Sequence, residues 1–151
     1  MIVSTRARIL FYGLNIALPL FFGLYLYLTL RADAYISLFI CKFIPLPDYP
    51  FVSFPEWAIA FLRNFASDML WAYSLGFSVM LIMGYSQRKT LFALCLCVGF
   101  EVLMEVLQKI GVFHGTFDFL DILLEAISIC LALFFINKFE EARNEKSSKS
   151  T

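Results

Sequence analysis

The chain has 151 residues, which is enough for one domain of ordinary size. Hydrophobic residues make up 61% of it and charged residues 16%. Soluble domains average roughly 45–50% and about 25%, so this composition excludes an ordinary water-soluble domain and favours a membrane protein. The 12 basic and 12 acidic side chains cancel, and neither net charge nor any motif indicates a nucleic-acid partner.

The four cysteines form no C-x-x-C pair and lie mostly in apolar segments. They are Cys41, Cys95, Cys97 and Cys130. We expect free, buried thiols that form neither a disulfide framework nor a zinc site.

Three segments near the start of the chain each predict a structural element. Residues 9–30 are mostly apolar and long enough to cross a hydrocarbon core of about 30 Å, so we predict a retained transmembrane helix and not a signal peptide. Residues 34–44 are also apolar but too short to span, which predicts an interfacial or re-entrant segment. The Ser53–Glu56 segment resembles a capping box, so a short interfacial helix is predicted over residues 55–63, with Trp57 at headgroup level.

Three further apolar segments predict three more transmembrane helices. A basic turn, Ser86–Lys89, and a glycine-containing loop, 109–117, connect them. The segments are residues 65–85, 90–107 and 118–137. We therefore predict an all-α polytopic membrane protein with four transmembrane helices plus a short interfacial helix.

The charged residues divide and orient this fold. The transmembrane domain covers residues 1–137, and residues 138–151 form a charged cytoplasmic tail that is expected to be frayed. Eight lysines and arginines lie in the N-terminus, the 86–89 turn and the tail, against four in the two opposite loops. This asymmetry predicts that both termini lie in the cytoplasm.

Polar residues interrupt the last two apolar segments at helical spacing. One set falls at i, i+4 and i+7 and the other at i, i+3 and i+7, so each forms a stripe on one helix face. The two sets are mirrored about Phe113, which predicts a helical hairpin with three matched polar layers. The paired residues are Gln108 with Asp118, Glu105 with Asp121, and Glu101 with Glu125.

Asp68 is predicted to enter from the same side, near the outer boundary of the second span. A charge in hydrocarbon costs at least about 2.5–3.5 kcal/mol, so such a group needs water or partners. Some acids could be protonated, some could pair with Arg63, Lys109 or His114, or the group could enclose a cation. All three arrangements predict a water-accessible acidic pocket that opens outward.

Simpler roles exist for single residues. Asp118 is expected to cap the helix that follows it. His114 is expected to be a loop residue and not a metal ligand, and Asn15 and Ser128 fit hydrogen bonds between helices.

The motif Glu105-x-x-Gln108, followed by a glycine-containing loop and Phe117-Asp118-x-x-Asp121, resembles the VanZ-like family of small polytopic bacterial membrane proteins. The resemblance covers residues 64–136, and Asp68 is similar to a polar residue of the family's preceding helix. It implies a location in the bacterial inner membrane and a role at the cell envelope, since the founding members are similar to low-level glycopeptide (teicoplanin) resistance factors that act there.

This chain departs from the family pattern at three places. Gly115 and Thr116 stand where the family often has an arginine, Glu125 replaces an asparagine, and Ser128 replaces a glycine. The site is therefore expected to be more acidic than is usual in the family, which weakens the transfer of any role in binding anions.

Several functions are compatible with such a pocket. The first is binding of, or action on, an envelope lipid, a lipid-linked envelope precursor or a cationic group. The second is a small transporter whose carboxylates relay protons or bind a coupling cation. The third is a metal-dependent, membrane-embedded hydrolase of lipid-linked substrates, with magnesium, calcium or manganese held by Glu105, Asp118 and Asp121. The fourth is a structural subunit. No cofactor motif is evident, although a divalent cation fits, and self-association is compatible with the small size.

Overall fold

The structure, a computed structural model, describes residues 2–30, 39, 40, 43, 54–112 and 117–148. The regular elements within these ranges are all helical. In chain order they are α1 (Ile2–Leu30), α2 (Glu56–Phe61), a π-helical turn (Leu62–Ala66), α3 (Ser67–Met83), α4 (Gln87–Lys109) and α5 (Phe119–Ser148).

Four helical segments are long and apolar enough to cross a membrane, as predicted. They are Thr5–Leu30, Glu56–Met83, Gln87–Lys109 and Phe119–Glu145. Large apolar side chains are exposed on every one of them, including Phe21, Ile82, Leu103 and Phe119. A water-soluble surface does not carry apolar area of this extent, whereas lipid tails are its natural surroundings. The protein is therefore an all-α, multi-pass membrane protein.

The shorter helix α2 continues directly into the second span. The π-helical turn joins it to α3, so the backbone is helical from Glu56 to Met83. Pro55 is the N-cap of α2 and makes no side-chain cap hydrogen bond. Ser53 of the proposed capping box lies outside the described residues, as does most of the predicted segment 34–44.

The expectation that the tail frays from Lys138 onward is wrong as far as Ser148. Helix α5 continues through it without interruption. Two pairs with i, i+3 spacing support this extension, Lys138 with Glu141 and Arg143 with Glu140. At 1.5 Å per residue a helix of this length spans about 45 Å, so α5 extends beyond a hydrocarbon core of about 30 Å.

Helix α3 lies at the centre of the bundle and packs against α1, α4 and α5. Its buried residues Phe77 and Met80 meet Tyr12 from α1 and Ile129 from α5. The contact with α5 is close at Gly76, where an added Cβ would lie 3.1 Å from the Cβ of Ala132. Small residues allow the backbones of two helices to approach this closely. Such packing is important in a membrane, because lipid provides no hydrophobic force that holds helices together.

The turn between α3 and α4 ends one helix and begins the next within three residues. Gly84 takes a φ of 71°, which glycine adopts without strain. The Lys89 ammonium group donates to the carbonyl of Met83 at 2.6 Å, and the Ser86 hydroxyl accepts from the backbone N–H of Lys89. These bonds satisfy backbone groups that a helix end leaves open.

The cysteines are free, as expected, at the three described positions. Cys97 is buried, but Cys95 and Cys130 are exposed on the bundle surface, so the expectation of burial is wrong for these two. An apolar segment that faces lipid has the same composition as one that faces the core, which is why burial was over-predicted. Cys41 lies outside the described residues.

Candidate functional site

Five carboxylates from three helices converge in the half of the bundle that contains the start of α5. Asp68 comes from α3, Glu101 and Glu105 from α4, and Asp121 and Glu125 from α5. The carboxyl groups of Glu101 and Glu125 are close enough to interact electrostatically with each other and with those of Asp68 and Glu105. We call these five residues the carboxylate cluster. It brings carboxyl groups from three helices together inside an apolar bundle, where each charge is costly to bury without water or a partner.

Glu105 is the most deeply placed member, at 5% exposure. Its Oε2 accepts a hydrogen bond of 3.0 Å from the backbone N–H of Asp118. The Asp118 side chain then accepts from the N–H of Leu120 at 2.8 Å. Two carboxylates thus satisfy two backbone donors at the start of α5, where the helix dipole favours negative charge. The predicted capping role of Asp118 is confirmed.

We expect Asp118→Ala to lower the free energy of unfolding by about 1 kcal/mol, because it removes the cap of α5. Asp118→Asn should retain most of that stability, since the amide oxygen still accepts from Leu120. Thermal unfolding of the purified protein, followed by circular dichroism, measures both. Equal losses in the two variants would show that charge and not capping is what matters at this position.

Asp68 lies deeper in its helix than predicted. Since the helix begins at Glu56 and not near Phe65, Asp68 is about 18 Å from the first residue at 1.5 Å per residue. Its carboxyl group is close enough to interact electrostatically with those of Glu101 and Glu125, the deepest predicted pair. The sequence pattern does not indicate the π-helical turn through which the two predicted helices are continuous.

The remaining predicted residues are placed less centrally. Gln108 is half-buried. Its backbone carbonyl accepts a hydrogen bond of 2.9 Å from the N–H of Gly111. Arg63 is exposed, with its Nε 3.4 Å from Asn64 Oδ1. His114 lies outside the described residues, as does Phe113, the centre of the predicted mirror.

A metal-ligand arrangement is not seen in the described part of the chain. No group of three or more histidine, cysteine, aspartate or glutamate side chains there has a geometry that could hold a metal ion.

A second charged cluster, which sequence reasoning missed, lies at the opposite end of the bundle. The Glu140 carboxylate contacts Arg8 Nε at 2.9 Å and an Arg143 guanidinium nitrogen at 2.7 Å. The Tyr12 hydroxyl donates to the same carboxylate at 3.2 Å. The Glu140 side chain is 3% exposed, so a residue of the supposed tail belongs to the core. Its burial depends on Arg8, 132 positions earlier, and no local signal reveals it.

The two expected hydrogen bonds between helices give different results. Asn15 accepts from the Tyr73 hydroxyl at 2.8 Å, which joins α1 to α3 as predicted. Ser128 donates instead to the Leu124 carbonyl of its own helix at 3.0 Å, so its predicted role between helices is wrong. A serine inside a helix commonly bonds the carbonyl four residues earlier.

The chain matches no protein-family model, and no curated protein or solved structure is significantly similar to it.

Proposed function

We propose that this protein is a VanZ-like inner-membrane protein whose carboxylate cluster binds the cationic group of an envelope lipid or lipid-linked precursor. In this proposal both termini are cytoplasmic, and the cluster faces an outward-opening pocket. The observation that carries it is the convergence of five carboxylates from three helices.

The position of the cluster favours binding over a purely structural role. Surface acids near helix ends reach water and need no further explanation, whereas Glu101, Glu105 and Glu125 are half-buried or buried. Carboxylates that remain near one another inside an apolar bundle repel, and a cation relieves that repulsion. A lipid that carries an ammonium group brings such a cation to the bundle directly from the surrounding bilayer.

The family proposal is supported by the placement of its two motif elements. Glu105 and Gln108 lie on α4, and Asp118 and Asp121 lie at the start of α5, the helix that packs beside it. The bond from Asp118 to Glu105 joins the two elements directly. The acidic residue at position 125 fits a cationic ligand better than an anionic one.

The test compares octylamine with octanol, which have the same chain length but differ in charge. Full-length protein purified in detergent is unfolded thermally with each compound. A ligand at tenfold its Kd adds about 1.4 kcal/mol, so octylamine should raise the Tm by roughly 3–6 °C while octanol does not. Glu101→Gln/Glu125→Gln should abolish the octylamine effect, because the amides hold no negative charge.

Glu56→Gln is the matched control, because Glu56 is exposed in the first turn of α2 and lies outside the cluster. It should retain the full octylamine effect. An equal shift with octanol, or an undiminished octylamine shift in the double variant, would contradict the proposal. Elution volume and helical circular dichroism establish that each variant is folded.

A further inference from the structure

An open cavity of about 380 Å³ lies between α4 and α5, at the end of the bundle that contains the 84–86 turn. Two of the side chains that line it, Leu91 and Phe134, are 64% and 53% exposed, so the cavity opens sideways toward the surrounding lipid. It is separate from the carboxylate cluster, which occupies the other half of the bundle.

The side chains that line the cavity change from polar to apolar in the same direction along both helices. On α4 the change goes from Gln87 to Leu94, and on α5 it goes from Glu141 to Leu133. Each change takes about 10–12 Å of helix. The hydroxyl of Thr90 lies 3.4 Å from the side-chain oxygen of Asn137 and places the two walls in register. A phospholipid changes from headgroup to acyl chain in the same order, across an interfacial region about 5–7 Å thick.

The charged residues at the mouth indicate which headgroup fits. Glu141 lines the cavity at 54% side-chain exposure, and Lys138 lies beside it with an ammonium-to-carboxylate distance of 3.1 Å. Lys138 is not itself a lining residue, but its pairing with Glu141 places a positive charge next to the negative one, and together they complement a zwitterionic headgroup. Burial raises the pKa of Tyr85 above its usual value of 10.0, and the Glu141 and Glu140 carboxylates contribute less to the same shift. A tyrosine hydroxyl keeps its proton at neutral pH, so it can donate to a phosphate oxygen.

We propose that this cavity binds one phosphatidylethanolamine molecule from the surrounding leaflet. The headgroup ammonium meets Glu141, the phosphate meets Lys138 and Tyr85, and the first acyl segment packs against Leu94 and Leu133. Phosphatidylcholine has the same shape and charge, but its quaternary ammonium carries no N–H to donate to a carboxylate.

The test is native mass spectrometry of the full-length protein in detergent, with phosphatidylethanolamine and phosphatidylcholine of identical acyl chains in competition. One charge-assisted hydrogen bond at a half-exposed site should favour phosphatidylethanolamine by roughly three- to tenfold. Glu141→Gln should bring the ratio close to one. Leu94→Trp should reduce binding of both lipids, because it fills the apolar end of the cavity.

Leu96→Trp is the matched control, on the same helix but outside the cavity lining. It should bind both lipids like the unaltered protein. Equal binding of the two lipids by the unaltered protein would overturn the proposal, and so would equal losses in the two tryptophan variants. Glu141 is exposed enough that Glu141→Gln should fold, which keeps the test decisive if Leu94→Trp does not.

Discussion

Glu140→Ala should lower the free energy of unfolding by about 2–3 kcal/mol, because it leaves two arginines without their shared carboxylate. A fully buried pair costs about 3–5 kcal/mol when one partner is removed. Arg8 and Arg143 keep 28% and 33% of their side-chain surface exposed, so part of that cost is recovered by hydration. The substitution also removes the hydrogen-bond acceptor of Tyr12, and with it a direct tie between α1 and α5.

Reversible unfolding in mixed micelles of a mild detergent and dodecyl sulfate, followed by far-ultraviolet circular dichroism, measures this loss. Glu141→Ala is the matched control, one residue further along the same helix. Its pair with Lys138 is more than half exposed, so the change should cost no more than about 0.5 kcal/mol. If the two substitutions cost the same, burial of Glu140 is not what stabilises the bundle.

Gly76→Leu should destabilise the bundle by about 3 kcal/mol, at the upper end for an overpacked core. A Cβ at this position already lies only 3.1 Å from the Cβ of Ala132 and 3.8 Å from the carbonyl oxygen of Ile129. Both neighbours belong to α5, one of them through its backbone, so a leucine must push α3 and α5 apart. Because α3 is the central helix, its packing on α1 and α4 changes as well.

Gly99→Leu tests whether this loss comes from the helix contact. An added Cβ at Gly99 meets nothing within 4 Å, and leucine is the better helix former by roughly 0.8 kcal/mol. The same substitution there should be neutral or slightly stabilising in the same unfolding experiment. A loss at Gly99 as large as that at Gly76 would show that leucine is harmful at any glycine of this protein.

The four spans could be predicted because each needs only a local property, an apolar segment long enough to cross the hydrocarbon. The carboxylates of the candidate site could also be identified, since an acid inside such a segment is costly wherever it faces. Asp118 was recognisable as a cap from its place just before α5. These are properties of single residues or single helices.

What could not be predicted depends on contacts between distant segments. Lys138 and the residues after it have the composition of a solvated tail, and only the approach of Arg8 makes Glu140 a buried residue. The cavity between α4 and α5 likewise depends on how two helices diverge, which no pattern along one of them records. Gly76 and Gly99 lie in similar apolar segments, yet Gly76 is in close contact with α5 and Gly99 has open space beside it.

The π-helical turn at Leu62–Ala66 has a consequence for how the second span meets the lipid. A π turn contains one residue more than an α turn, and each residue rotates an α-helix by about 100°. The side-chain directions of α2 are therefore offset by about that angle from those of α3, although the backbone is continuous. A hydrophobic period counted from Glu56 onward therefore loses phase at the turn. Site-by-site labelling along this segment would find two lipid-facing stripes on one uninterrupted rod.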